Sequence, residues 1–323
     1  MAKVQITAIG AATLDTFLIG EAMRARRDVR THDYVAQFPL GEKLEVEDVI
    51  FSTGGGASNA AVTFARQGLK AKFVGQIGDD LPGREIIAAL RTEGVDISDI
   101  AVDLEATTGY STILLTPSGE RTILVYRGAA EELAMADIKL GKWEGEWLYM
   151  SSLAGNLSLL AGILKYAKQK KITVAFNPGG RDLAKAKELR KLLSSVTVLI
   201  LNQDELVDLF GGSSEQALHA ASTLCPYVVM TDGPKGSWLV HASQLYHAGM
   251  YKDVKVKDRT GAGDAFGSGL VAALAQSKSV EEALTLAAAN ATSVVSQIGA
   301  KVGILHAGAK LKTLKIRITD FGP

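Results

Sequence analysis

The chain has one cysteine, Cys225, in 323 residues. A single thiol cannot form an intrachain disulfide or supply a cysteine zinc site. Its place before Pro226 and an apolar run marks it as an inert core thiol. Neither sign of charge is in excess, since Lys+Arg and Asp+Glu are both 35. Such a balance gives no electrostatic footprint for nucleic acid or an anionic membrane. The one local cluster, "RARRDVR" at 24–30, reads as a solvated loop or helix face. No run of about 18 uncharged apolar residues occurs, so no membrane-spanning helix is expected. The start, "MAKVQITAIG", has neither the basic n-region nor the long apolar h-region of a secretion signal. These absences together predict a cytoplasmic chain. Two nucleotide patterns are missing as well. There is no GxxxxGK[ST], which excludes a P-loop, and no intact GxGxxG, which argues against a dinucleotide oxidoreductase.

Hydrophobic residues make up 47% of the chain, enough to bury a core the size of one large α/β domain. Short apolar runs recur: "VQITAIGA", "AKFVGQIG", "WLYMSSL", "ITVAFN", "VTVLILN" and "YVVMTDG". Helix-period runs lie between them, among them "ASNAAVTFARQG", "LPGREIIAALRTEGV" and "LSLLAGILKYAKQKK". Continuous apolar strands alternating with helices predict a parallel sheet covered on both faces. Two segments break the alternation. "TGYSTILLTPSGERTILVYRG" is a hairpin around "PSGE", without a helix. Residues 15–54 are irregular, with "FLIG" and "EVEDVIFS" as strands. The expectation is one α/β domain over 1–323, with a mostly parallel central sheet and a small β appendage from residues 15–54 and 106–128.

In open parallel sheets, ligands bind beyond the carboxyl ends of the strands. The first such end leads to Asp15 and the second to "TGGGASNAA", with Asn59 in a first helical turn. A carboxylate and an amide there suit a polyhydroxyl ligand, although a turn residue and a helix cap would look the same. "NQDE" follows "VTVLIL" and puts Asn202 and Glu205 on one face of a first turn. They could order water around Mg²⁺ or form a capping box. "TDGPKGS" is a glycine turn between two strands that could cradle phosphate.

The most informative stretch is "VKVKDRTGAGDAFGSGLVAAL" at 254–274. A strand-like run ends at Asp258, then glycines open an apolar helix. The free N–H groups of a helix start and the helix dipole favour an anion there. Gly261 and Gly263 carry no Cβ to block it. Asp264 beside that pocket would repel a resting anion, but it could accept the proton of a hydroxyl that attacks one. It is then a general base, with Gly261, Ala262 and Gly263 as the anion hole for a transferring phosphoryl group.

These residues resemble a known family. "DRTGAGDAFGSG" is similar to the C-terminal signature of the ribokinase (pfkB) family of carbohydrate and nucleoside kinases. "GGGASNAAVTFARQG" with "VGQIGDDLPG" is similar to its N-terminal signature. The resemblance covers essentially the whole chain. It implies a ribokinase-like three-layer sandwich with a β-sheet lid, and ATP-dependent phosphorylation of a hydroxyl, usually a primary one, on a sugar or related furanoside. It implies Asp264 as base and Gly261, Ala262 and Gly263 as anion hole. Asp15, Gly55 and Asn59 would hold the acceptor; Asn202, Thr231, Gly233 and Gly236 would lie near ATP. Glu205 would act on Mg²⁺ through water. Asp258 and Thr260 match two ligands of the K⁺ found in some members, while Gly303 stands where another such position carries Ser. Lids of two chains pair as a homodimer in many members. Thr13 replaces the Asn of strict ribokinases, and Ser151, Ser152 and Leu153 follow a strand where those enzymes carry a glutamate. Arg127, at the end of the hairpin, would suit an anionic group or serve as solvated surface. A nucleoside kinase, and a non-catalytic sugar or nucleotide sensor on the same fold, are the alternative readings.

Overall fold

The apolar runs assemble into one nine-stranded sheet. Its parallel part has the spatial order Lys70–Val74, Gln5–Ile9, Trp147–Met150, Thr173–Phe176, Val198–Asn202 and Tyr227–Thr231. Antiparallel strands Ser237–His241, Gln244–Ala248 and Ile316–Asp320 extend it beyond Tyr227–Thr231. The computed structural model describes residues 4–322 apart from 24, 31, 33, 117–119, 140–142, 144 and 253.

Both faces of the sheet are covered, which is why its strands lack polar alternation. Phe64, Leu270 and Leu284 bury one face from the helices Gly56–Arg66, Ala262–Ala275 and Val280–Val295. Ile163, Leu206 and Leu218 bury the other from Leu157–Lys170, Gln203–Phe210 and Ser214–Ser222. The helix starts follow the local rules. Asp80 accepts from Gly83 N at 2.9 Å before a first-turn Pro82, and Asn156 accepts from Leu159 N at 3.0 Å.

The two segments that broke the alternation form a separate four-stranded sheet, in the order Arg121–Tyr126, Gly109–Leu115, Thr13–Ile19, Asp48–Gly54. It starts at Thr13, slightly before the expected boundary at 15. Phe17, Ile113 and Leu115 form its buried face. The edge strand Arg121–Tyr126 is exposed along most of its length. The "PSGE" turn falls mainly on residues 117–119, outside the described residues. In the basic cluster, Arg26 and Arg27 are exposed and pair with Tyr34–Val35.

Two strand expectations need correction. "AKFVGQIG" is not one strand: it breaks at Gly75, and Gln76–Gly78 leaves the large sheet to pair with Ala101–Asp103. The run before Asp258 is not a strand at all. Ile316–Asp320 takes the sheet edge beside Gln244–Ala248. The run passes instead over the end of the Val280–Val295 helix, where Lys257 N donates to Val295 O at 2.8 Å.

Candidate active site

The glycine turn enters its helix from a loop. Gly261 has φ +76°, and a Cβ there would lie 2.4 Å from Ala300 Cβ. Only glycine suits both constraints. The helix Ala262–Ala275 starts at once, and among the described residues no atom beyond its own turn lies within 4 Å of where a Cβ on Gly263 would be. Its first N–H groups face that open space, although Ala262 N also makes a long 3.3 Å bond to Arg259 O.

Asp264 sits in this first turn. Its Oδ2 accepts from Asn59 Nδ2 at 2.8 Å. Two helix starts therefore converge, and Asn59, expected to hold the acceptor, first of all orients the carboxylate. Asn59 Oδ1 is buried without a hydrogen-bond partner, so it keeps a free acceptor atom. Burial holds the Asp264 carboxyl above its ordinary range, the Asn59 bond and nearby Lys301 pull it down, and Asp15 raises it.

Asp15 is buried in the small sheet, and its Oδ1 accepts from Thr13 Oγ1 at 3.0 Å. Burial raises its pKa against hydrogen bonds from Ser111 and Thr13 and the charge of Lys301. Thr13 thus supplies a polar contact to Asp15 itself. Ser151 is buried beside the same helix start: a Cβ on Gly56 would lie 2.2 Å from its Oγ and 3.2 Å from Asp264 Oδ1. Gly55 has φ +92° at the cap of that helix. Ser152 and Leu153 continue the strand end, with Leu153 buried in the core.

A cavity of about 260 Å³ opens over the turn, lined by Gly261 to Asp264, Asn202, Glu205, Arg121 and Arg259. Asn202 and Glu205 do form the capping box: Glu205 N donates to Asn202 Oδ1 and Asn202 N to Glu205 Oε2, both at 2.9 Å. Both nonetheless border the cavity. Burial raises the Glu205 pKa, and Asp204 and Asp208 raise it further. Among the described residues, no group of three or more His, Cys, Asp or Glu is placed to hold a metal. A single carboxylate beside this cavity fits Mg²⁺ that keeps its waters and is carried by a nucleotide.

The cavity adjoins a second one of about 320 Å³, and the two share Thr231, Arg259, Ala262 and Gly263. Gly233 and Gly236 border it, and Met250, Val256, Phe266 and Val295 make its wall apolar. A flat apolar slot running into an anion turn suits a nucleotide. Asp258 is buried, and its carboxylate takes Thr260 N at 2.9 Å, Thr260 Oγ1 at 2.7 Å and Gly299 N at 3.1 Å. A Cβ on Gly303 would lie 2.3 Å from Ser293 O, so the backbone leaves no room there for a serine.

Two site residues escaped sequence reasoning. Arg121, in the "GER" of the hairpin, lines the cavity over the anion turn; its Nε is buried without a hydrogen-bond partner, 3.9 Å from Asp258 Oδ1. Lys301 is buried beneath Asp15 and Asp264. Its signal was present, for it is the one charged residue between Glu282 and His306. Arg127 pairs with Glu131 at 3.6 Å, and Arg181 holds the same carboxylate at 2.7 Å.

The fold is shared with solved structures. The chain superposes on the adenosine kinase from Sinorhizobium meliloti with TM-score 0.77 at 22% identity, covering 94% of this chain and 98% of that one. It superposes on the ribokinase from Thermotoga maritima with TM-score 0.76 at 24% identity, covering 94% and 96%. Its fold is therefore that of the ribokinase-like kinases. In sequence it is 31% identical to 5-dehydro-2-deoxygluconokinase of Bacillus subtilis over 273 residues, 78% of this chain and 83% of that protein. It is 28% identical to ribokinase of Haemophilus influenzae over 290 residues, 84% and 92% of the two chains. Residues 15–306 match the family described as pfkB family carbohydrate kinase. The chain belongs to that family and is a sugar or nucleoside kinase. Among the described residues, no helix is long and apolar enough to cross a membrane.

Proposed function

We propose that the chain transfers the γ-phosphoryl group of ATP to a hydroxyl, a primary one, of a sugar or related furanoside. The observation that supports this most is the Asp264 carboxylate, held by Asn59 at 2.8 Å, beside an anion turn and inside a cavity continuous with an apolar slot. Asp264 accepts the proton of the attacking hydroxyl. A bond forms between that oxygen and the γ-phosphorus, the bond to the bridging oxygen breaks, and ADP leaves with it. The N–H groups of residues 261–263 and the Arg121 guanidinium face the charge that spreads over the phosphoryl oxygens. Asp15 accepts hydroxyls of the ring, and Asn59 Oδ1 is free to accept one more. Thr231, Gly233 and Gly236 border the base. Mg²⁺, when bound, neutralises phosphate charge, and Asn202 and Glu205 would hold its waters. Asp258 and Thr260 leave backbone oxygens for K⁺, but the closed position at Gly303 argues for weak K⁺ dependence.

The exposed strand Arg121–Tyr126 carries Leu124 at 58% and Tyr126 at 56% exposure. We assign this sheet as a lid over the acceptor, and its apolar edge as the seat of a second copy of the chain. An ADP-release assay with a panel of sugars, sugar acids and nucleosides tests the function. ADP release that rises with one acceptor supports it; binding of sugars without turnover of any would leave the sensor reading instead.

A further inference from the structure

Gly299 N donates to Asp258 Oδ2 at 3.1 Å, and Ala300 packs on the Gly261 turn. From that anchor the Lys301 side chain runs inward to the lid strand Asp48–Gly54, where Nζ donates to Thr53 Oγ1 at 3.0 Å. The residue is 7% exposed. An ammonium has three donors, and this one spends a single donor on a neutral hydroxyl. Lys301 forms no ion pair among the described residues. Asp15 and Asp264 lie within electrostatic reach but do not bond it. The same protein shows what a structural buried lysine looks like. Lys72, also 7% exposed, is locked to Asp99 at 2.6 Å and to Asp96 at 3.4 Å. Lys301 has no such lock. An unpaired buried cation disfavours folding, and a methionine would fill the space without that cost. Burial pushes its pKa down to about 7, with Asp15, Asp264 and Glu93 pulling upward and Arg66 downward.

We propose that Lys301 sets acceptor specificity: the acceptor is an anionic polyhydroxyl compound, and its carboxylate or phosphate sits on the Lys301 ammonium. This rests on the kinase reading above. Asp15 and Asp264 accept only from donors, so hydroxyls must face them. Both repel an anion, so the acidic end of the acceptor has one favourable place, on Lys301. That fixes which hydroxyl meets Asp264. A neutral sugar oxygen could be bonded by a serine or an amide, with no buried charge.

The test is a steady-state panel on the full chain. It pairs sugar acids with their neutral parents, and sugar 1-phosphates with theirs. The wild type should show its highest kcat/KM on an anionic member, and which pair responds separates carboxylate from phosphate. Lys301→Met should raise KM for that acceptor about ten- to a hundredfold, with kcat and the KM for ATP within threefold. Lys301→Arg should keep the anionic preference. The melting temperature of Lys301→Met should not fall, since the change removes a buried charge. The proposal is overturned if the wild type prefers a neutral parent, or if Lys301→Met loses neutral and anionic acceptors alike. No turnover of any pair would sink the sugar-acceptor reading on which this one rests, a different outcome from turnover confined to neutral sugars.

Discussion

Asp264 can act as a base only when ionised, and its surroundings oppose ionisation. Burial raises its pKa, with Asp15 adding to the rise. Activity should therefore be lost as pH falls through a value above the usual aspartate range, ~4. An acid limb of kcat/KM at or below that range would exclude Asp264 as the titrating base. Asn59→Leu removes a bond that lowers this pKa, so it should move the limb to still higher pH. Asp264→Asn should keep the fold and nucleotide binding but cost about 10²–10⁴-fold in rate; retention of more than roughly a third of wild-type kcat would refute the role. Glu205→Gln should raise the Mg²⁺ concentration for half-maximal rate, because its half-buried carboxylate borders the cavity over the anion turn. An unchanged metal titration would leave Glu205 as a cap alone. At this scale the sequence was legible where the chemistry is local. The 261–263 turn, Asp264, and the capping geometry of Asn202 and Glu205 all lie within short stretches. Asn59 was visible, but its partner was not: 205 residues separate it from Asp264. Lys301 stands out locally as a lone charge in an apolar stretch, but its partner does not, since Thr53 lies 248 residues upstream.

Elements bring these residues together, and the hairpin does so from the far side. Arg121 opens the strand Arg121–Tyr126 and reaches the cavity over the anion turn, with its Nε unpartnered. On the proposed reading the strand would carry a charge for the phosphoryl group as well as cover the ring. Arg121→Gln should lower kcat by roughly ten- to a hundredfold, the scale of a lost charged hydrogen bond, with little change in melting temperature. A loss confined to stability would make Arg121 a structural partner of Asp258. The outer residues of the same strand have another use. Leu124→Lys should convert a dimer to a monomer on sedimentation, since a charge in an apolar edge disfavours pairing. A wild type already monomeric at micromolar concentration would reject the second-copy reading. Helices and parallel strands were legible because burial on both faces writes continuous apolar runs. The strand before Asp258 was misread for a tertiary reason: its apolar residues meet a helix end, and the sheet edge was already occupied. The break at Gly75 was equally silent, because only the fold shows that a Cβ there would lie 2.5 Å from Gly10 O.

Across the whole molecule, the site is split between two bodies. The large sheet and its helices supply Asp264, Asn59, Asn202, Glu205 and the apolar slot. The small sheet supplies Asp15, Thr53 and Arg121, on the strands Thr13–Ile19, Asp48–Gly54 and Arg121–Tyr126. An acceptor held by Asp15 and presented to Asp264 touches both bodies. On the proposed reading so would a nucleotide, with its base in the slot of the large body and its terminal phosphate against Arg121. Each ligand therefore favours the same approach of the small sheet to the large one. Whichever binds first meets the cost of ordering that approach, and the second then binds a site already formed. The acceptor should bind about 5- to 150-fold more tightly in the presence of a nonhydrolysable ATP analogue, and by linkage the analogue should gain the same factor from the acceptor. Isothermal titration in both orders measures the two factors. Arg121→Gln should shrink them together, because it cuts the contact of the small sheet with the phosphate while leaving Asp15 in place. Equal acceptor affinity with and without the analogue would mean that the small sheet is already closed in the free protein, and that it covers the ring without coupling the two ligands.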